Sequence, residues 1–179
     1  MDNEELTIVQ ILDKMYEHSE EMLKLGEAKN TTLIAFNGAI IVGVIAVFKD
    51  IPDGFLKYYA MYGIFMCAIS MFTCFASLVA KILHKPHKVS LRPSDNILFF
   101  GTIAKLSHGQ LVDKLKAKYG VESINEAYEE DKARQIVIIA QIAARKFNLF
   151  NTAIAFMFSG LLSPLSYIAY LIFLDHDRN

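Results

Sequence analysis

Three long stretches of the chain carry almost no charge and consist mainly of apolar side chains. They cover residues 31–48, 58–82 and 151–174, and Lys81 is their one charged residue. Each has the roughly 18–25 residues that a helix needs to cross about 30 Å of hydrocarbon. Pro164 interrupts the third stretch, so this stretch can be either a kinked transmembrane helix or a re-entrant segment. The pattern predicts an all-helical, multipass membrane protein with three transmembrane helices.

Amphipathic segments flank the apolar stretches. Residues 1–30 place apolar side chains at helical spacing, with the acidic residues facing away, which predicts an amphipathic acidic helix. Its predicted apolar face consists of Ile8, Ile11, Leu12, Met15, Met22 and Leu25. Residues 49–57 form a short loop, residues 83–150 a basic helical segment, and residues 175–179 a tail. The expected architecture is three spans with a helical layer outside the membrane.

Helix-capping signals divide the basic segment. Ser94 or Asp95 can cap a first helix, and Ser107 caps a second one that ends at Gly120. A third helix begins near Ser123 and can continue without a break into the third span. Its predicted inward face is Ile136, Ile139, Ala140, Ala143 and Phe147, while Gln135, Arg145 and Lys146 are expected near the membrane surface. The acidic residues at 129–131 are expected in solvent at the start of this helix.

Basic residues set the expected orientation, because Lys and Arg near span ends favour the cytoplasmic side. Residues 81–150 hold twelve of the 18 basic residues. We therefore expect the basic helical segment in the cytoplasm together with residues 1–30, and the loop and the tail outside. Residues 1–30 contain eight acidic and three basic side chains, whereas residues 81–150 contain seven acidic and twelve basic ones. This complementarity predicts that the acidic helix packs on the basic segment.

Composition excludes several function classes. The chain is 54% hydrophobic and 21% charged, and no span has an ionisable residue in its interior, which disfavours a proton relay or a charge-coupled transporter. No paired carboxylates, phosphate-binding glycine loop or activated nucleophile is recognisable, so we expect no enzyme and no catalytic residue. His84 and His87 are a poor ligand set, and no metal or cofactor is expected. Cys67 and Cys74 lie about 10 Å apart along one helix, too far for a mutual disulfide.

Small and polar residues within the spans indicate helix contacts. Small side chains recur every four residues in the first and third spans, which lets helix backbones approach closely in lipid. These residues are Ala35, Ala39 and Gly43, and Ala155, Ser159 and Ser163. Asn37 is expected to bond another helix or to line a polar path between protomers, because a buried amide needs a partner. Packing within one subunit and assembly into a homo-oligomer both stay open.

Three motifs in order around these spans resemble those of the Pycsar transmembrane effectors, the PycTM group. "EAKNTTLIAFNGAII" is similar to their acid-x-Lys motif before the first span, with Asn30 where the family has alanine. "RPSDNILFFGTIAKLS" resembles their Pro-x-x-Asn-x-x-Phe-Phe-Gly segment. "DKARQIVIIAQIAARKFNLFNTAI" resembles their glutamine-rich helix that ends in Lys-aromatic before the last span. The resemblance covers about residues 22–165.

This resemblance implies antiphage defence at the bacterial inner membrane. A pyrimidine nucleotide cyclase would make cyclic CMP or cyclic UMP on infection, and the effector would bind it and impair the membrane, causing abortive infection. The expected partners are that cyclase, membrane lipid and further copies of the chain, with no nucleic acid. A membrane scaffold that docks a cytoplasmic protein is the alternative from another class, and an ungated holin-like pore is a third.

Such a ligand needs a cation for its phosphate, an amide for its base edge and a ring for stacking. The juxtamembrane residues that supply these groups are Lys29, Asn30, Arg92, Asn96, Phe99, Phe100, Gln135, Arg145 and Lys146. Structural roles are also open for several of them. Lys29 and Lys146 could anchor at lipid headgroups, the two phenylalanines could belong to the core, and Asn96 could start a helix.

Overall fold

The computed structural model describes residues 7–79 and 96–176, and the side chains of this part as far as Leu162. The described residues fold entirely into helices and connecting turns, as the sequence predicts. The helices are α1 (Ile8–Val47), α2 (Phe55–Leu78), α3 (Phe100–Ile103), α4 (His108–Tyr119) and α5 (Glu126–His176). Helix α1 continues through residue 30 without a break, so the predicted amphipathic helix and the first span are one helix.

The chain divides into two compact units. The first unit contains residues 1–27 and 80–147, and the second contains residues 28–79 and 148–179. Helices α1 and α5 each contribute residues to both units, α2 belongs to the second, and α3 and α4 belong to the first.

The first unit has its own apolar core, to which all four of its helical elements contribute. Ile8, Leu12, Leu111, Leu115 and Ile136 are fully buried in it. Most of the predicted inward faces are correct: Ile11 and Met15 on α1 are buried, and so are Ala140 and Ala143 on α5. The prediction fails at Leu25, which is 41% exposed, and Met22, Ile139 and Phe147 are only half-buried.

Both predicted ends of α4 are confirmed. Ser107 Oγ accepts from the Gln110 backbone N–H at 3.3 Å, and Gln110 Oε1 accepts from the Ser107 N–H at 3.1 Å, which forms a capping box. At the other end Gly120 has a φ of 64°, and its N–H donates to the Lys116 carbonyl. This left-handed conformation favours glycine because it lacks Cβ. The predicted caps Ser94 and Asp95 lie outside the described residues.

Helix α5 begins at Glu126, three residues after the predicted start, and its first turn corrects a prediction. Glu129 is fully buried rather than solvated. Its carboxylate accepts from Ser123 Oγ at 2.6 Å and from the backbone N–H groups of Ile124 and Asn125 at 2.8 and 3.0 Å. Lys116 Nζ on α4 lies 3.7 Å from Glu129 Oε2. The carboxylate is buried because it satisfies backbone donors of the turn that precedes α5.

Two helices, α1 and α2, are long and apolar enough to cross a membrane. The apolar 18-residue windows of α1 and α2 are only 17% and 22% buried. A core helix of a soluble protein would be mostly buried, so these windows are unlike such a helix. The third predicted span, residues 151–174, lies within the single helix α5, which also includes Pro164. By length and composition, the described part of the chain therefore contains candidates for two of the three predicted spans.

Candidate functional site

The predicted aromatic residues form a cluster in the first unit. The rings of Phe99 and Phe100 lie 4.8 Å apart, and the Phe100 ring lies 5.4 Å from that of Phe147. Phe99 precedes α3 and is 50% exposed, whereas Phe100 begins the helix and packs against the apolar core. Phe100 thus packs against the core, which is one of the roles that the sequence left open for it. Phe99 keeps an accessible ring face.

The predicted polar residues of the first unit are dispersed over several environments. Asn96 Oδ1 accepts from the Leu98 N–H at 3.0 Å, which makes a local turn before α3. Gln135 is exposed on α5 and Arg145 is half-buried. Arg92 lies outside the described residues. Asn96 therefore makes a turn before α3, whose N-cap is Phe99, and does not itself start the helix as the sequence allowed.

Lys146 corrects the expectation that its side chain projects near the membrane surface. It is only 4% exposed, and its Nζ lies 3.2 Å from Glu27 Oε1 on α1. Gly26 makes this approach of α1 and α5 possible, because a Cβ at that position would lie 3.3 Å from Lys146 Cβ. A second ion pair joins the same two helices, between Lys132 Nζ and Asp13 Oδ1 at 2.8 Å. Both pairs show the acidic helix packed on basic residues of the later segment, as the charge pattern predicts.

Lys132 also contacts an aromatic ring. Its Nζ lies 4.6 Å from the centroid of Tyr16, within the range of a cation–π interaction. The hydrogen bond to Asp13 raises the pKa of Lys132, and partial burial of the ammonium opposes this only in part. A hydrogen bond to Glu20 likewise raises the pKa of Tyr16. Lys132 thus stabilises the packing of α1 on α5 through its charge.

Two predicted ligand residues belong to the second unit. Lys29 is exposed, with its Nζ 5.6 Å from the centroid of Phe150. A cavity of about 330 Å³ is lined by Ala28, Lys29, Thr32, Leu33, Phe36 and Phe150. Asn30 has no exposed surface and does not line this cavity. Of these two residues, Lys29 thus has the position that a ligand contact requires.

A polar bridge joins the helices of the second unit. Asn37 Nδ2 donates to Ser70 Oγ at 2.9 Å and to the Leu33 carbonyl at 2.8 Å. Ser70 Oγ in turn donates to the Ala153 carbonyl at 2.8 Å. The side chains of Asn37, Ser70 and Ala153 are fully buried. Asn37 therefore bonds another helix, the first of the two roles that the sequence allowed.

Most residues of the predicted small-residue faces do not lie at contacts between these helices. Ala35, Ala39, Gly43 and Ala155 are exposed. The closest approach instead involves Gly63 on α2 and Gly160 on α5: a Cβ added at Gly160 would lie 2.9 Å from Met66 Cβ and 3.4 Å from Gly63 Cα. Ser159 is exposed, and its Oγ lies 2.9 Å from Tyr62 Oη. The side chain of Ser163 lies outside the described residues.

Sequence reasoning missed a second group of basic residues. Lys14 and His18 are four residues apart on α1 and line a cavity of about 320 Å³ in the first unit, together with Tyr119 at the end of α4. The available signal was the pair of basic residues on one face of an otherwise acidic helix. Both residues are remote from the spans in sequence, so the predicted set of juxtamembrane ligand residues does not include them.

Comparison with known proteins gives one consistent family. The model of the Pycsar effector protein domain matches residues 11–173. The chain is 30% identical over 155 residues to the Pycsar effector protein RsPycTM of a Rhizobium species, and the match covers 80% of this chain and 86% of that protein. It is also 30% identical over 142 residues to the Pycsar effector protein PtPycTM of Propioniciclava tarda, covering 79% and 69% of the two chains. No solved structure gave a significant match.

Proposed function

This chain belongs to the Pycsar effector family, PycTM, and from this premise we propose that it is an antiphage defence effector of the bacterial inner membrane. A pyrimidine nucleotide cyclase supplies cyclic CMP or cyclic UMP during infection. The effector binds this nucleotide and then impairs the membrane, so that the cell stops before phage replication is complete. The chain carries out no chemical step in this scheme and acts by binding and assembly.

The exposed apolar surface of the second unit is the observation that carries the proposal. Helices α1 and α2 expose large apolar side chains along their candidate spans, among them Phe36, Val42, Met61, Phe65 and Phe72. In water such a surface would cost about 25 cal/mol per Å², whereas in lipid this cost disappears. A protein that places this unit in a bilayer can act on the bilayer directly.

The first unit supports the sensing part of the proposal. It has a separate apolar core, charged helices and a cavity that is bordered by basic side chains. These are the features that a site for a small anionic ligand requires. The proposed order of events is that the nucleotide binds to this unit and thereby changes the state of the spans. The proposed third span is the C-terminal part of α5, which continues from the first unit's residues as one helix.

Membrane potential tests the proposed function directly. Bacteria that produce this chain with an active pyrimidine cyclase should lose the signal of a potential-sensitive dye, whereas cells with a catalytically inactive cyclase should keep it. Equal depolarisation with both cyclases would contradict gating and favour an ungated holin-like pore. If neither cyclase causes depolarisation, and pull-downs from membranes recover one cytoplasmic protein in stoichiometric amount, the result would favour a membrane scaffold.

A further inference from the structure

The cavity of about 320 Å³ in the first unit is lined by none of the residues that the sequence predicted as ligand contacts. Its lining residues are Ile11, Lys14, Met15, His18, Leu98 and Tyr119. Helix α1 provides four of them, the turn before α3 provides Leu98, and the last residue of α4 is Tyr119. Ile11 and Met15 are 7% and 4% exposed, so they form an apolar floor that belongs to the core of this unit.

Charged and aromatic groups border this floor. Lys14 and His18 are exposed and lie one helical turn apart, on the same face of α1. His18 Nδ1 lies 3.8 Å from Glu21 Oε2, and both side chains are largely in solvent, so this pair is weak. Tyr119 is 37% exposed and offers a ring face and a hydroxyl group. The cavity surface is almost entirely apolar, and Lys14 and His18 each place a basic side chain at its border.

We propose that this cavity is the binding site for the cyclic pyrimidine mononucleotide, an inference that rests on the proposed function. The pyrimidine ring is flat and can pack against Tyr119 and Met15, because rings and thioethers both form favourable contacts with aromatic faces. The cyclic phosphate carries one negative charge, which Lys14 can neutralise through a charge-assisted hydrogen bond, and a ring N–H of His18 can also donate to it. The volume is at the lower end of the roughly 300–1,000 Å³ that small-molecule sites occupy, as a single nucleotide requires.

The cavity beside Lys29 in the second unit is the rival location. It offers one basic side chain instead of two. Its lining also includes Leu33 and Phe36, which belong to the apolar stretch 31–48 that we place in lipid. The cavity of the first unit contains no residue of that stretch. The number of basic side chains and the absence of residues from that apolar stretch therefore favour the first unit.

Calorimetric titration of the full chain in detergent micelles with cyclic CMP and cyclic UMP tests this assignment. Lys14→Gln and Tyr119→Leu should each weaken binding by about tenfold or more, because each removes one of the two interactions that the site offers. Lys24→Gln is the matched control, since Lys24 is an exposed lysine on the same helix outside the cavity. Leu98→Trp is a second kind of variant that fills the cavity and leaves every charge in place. Circular dichroism melting curves show whether each variant is folded.

The outcomes separate the site from the function. Weak binding by Lys14→Gln and Leu98→Trp, with wild-type affinity for Lys24→Gln, supports the assignment. Lys29→Gln, a variant in the rival cavity, is measured beside them. Wild-type affinity in all variants of the first-unit cavity, or a loss of affinity in Lys29→Gln alone, overturns the site, while nucleotide sensing stands. No binding of either nucleotide by the wild-type chain overturns the sensing part of the proposed function, and the site with it.

Discussion

The side-chain amide of Asn37 on α1 donates a hydrogen bond to Ser70 Oγ on α2, with 2.9 Å between Nδ2 and Oγ. The orientation of the amide is fixed, because Nδ2 also donates to the Leu33 carbonyl, which can only accept. Asn37 Oδ1 is buried and accepts no hydrogen bond from the described residues. The bridge thus stabilises the helix contact and at the same time carries an unsatisfied acceptor.

Asn37→Ala should therefore destabilise the protein only moderately. It removes the bond to Ser70, and interhelical hydrogen bonds in membrane proteins contribute about 0.6 kcal/mol on average and about 1.7 at most. It also removes the unsatisfied Oδ1, which offsets part of this loss. Equilibrium unfolding in mixed micelles measures the difference. Thr152→Ala is the control, since that exposed hydroxyl donates to the Asn148 carbonyl of its own helix; an equal effect of both variants would contradict the role of the bridge.

Gly160→Ala should be more harmful than Gly63→Ala. A Cβ at Gly160 would lie 2.9 Å from Met66 Cβ, which is attached to the helix backbone and cannot move aside, so the two helices must separate. Overpacking of this kind costs about 1–3 kcal/mol. A Cβ at Gly63 meets only the Gly160 carbonyl at 3.7 Å, an ordinary contact, so that variant should be close to neutral. Thermal unfolding in detergent compares the pair, and similar melting temperatures would argue against close packing at Gly160.

Glu129 should make the stability of the protein depend on pH below the ordinary glutamate pKa of 4.5. Burial raises its pKa, but the hydrogen bonds from Ser123, Asn125 and Ile124 and the charge of Lys116 outweigh this and leave the pKa lowered. Because the folded pKa is the lower one, the stabilisation is present above the ordinary value and disappears as the pH falls through the folded value.

Glu129→Gln should consequently lower the melting temperature at pH 7 and flatten its decrease under acid. Loss of the charge-assisted hydrogen bonds should cost about 1–3 kcal/mol at neutral pH. Glu122→Gln, at an exposed position shortly before α5, should leave both the melting temperature and its pH dependence unchanged. Melting curves from neutral pH down to strongly acidic pH test this, and parallel curves for wild type and Glu129→Gln would show that Glu129 is not the titrating group.

The exposed small-residue face of α1 should form contacts between copies of the chain if the proposed assembly is correct. Ala39→Cys, in a background without Cys67 and Cys74, should form a disulfide-linked dimer in oxidised membranes. Phe65→Cys is the control, because Phe65 is 59% exposed on α2 and the residues four positions before and after it are large. Gel electrophoresis without reductant reads out the dimer. Equal cross-linking of both variants would indicate random collisions.

Helix positions and ends followed well from local sequence signals. The apolar stretches, the Ser107 cap and Gly120 each act within a few residues of chain, because helical hydrogen bonds join residues only four positions apart. The same locality explains why the core residues of α1 near its N-terminus were found. The orientation of the spans across the membrane stays a prediction from the positive-inside rule.

The candidate site could be predicted only in part. Lys29 was expected at a ligand site and does line a cavity. Lys146 was expected to be accessible and is instead buried against Glu27, because Gly26 lets α1 approach that part of α5. Lys14 and Tyr119 are more than 100 residues apart in sequence and yet line one cavity. No sequence pattern within α1 or within α4 predicts that these two residues lie close together.

The sequence alone determined that the chain is helical, which stretches are apolar and where α4 begins and ends, since hydropathy and capping are properties of neighbouring residues. Only the tertiary structure decided that Gly63 and Gly160 lie where α2 and α5 meet, and that Glu129 is buried. The rotation of each helix about its own axis selects which side chains touch, and that rotation is set by contacts between segments far apart in the chain.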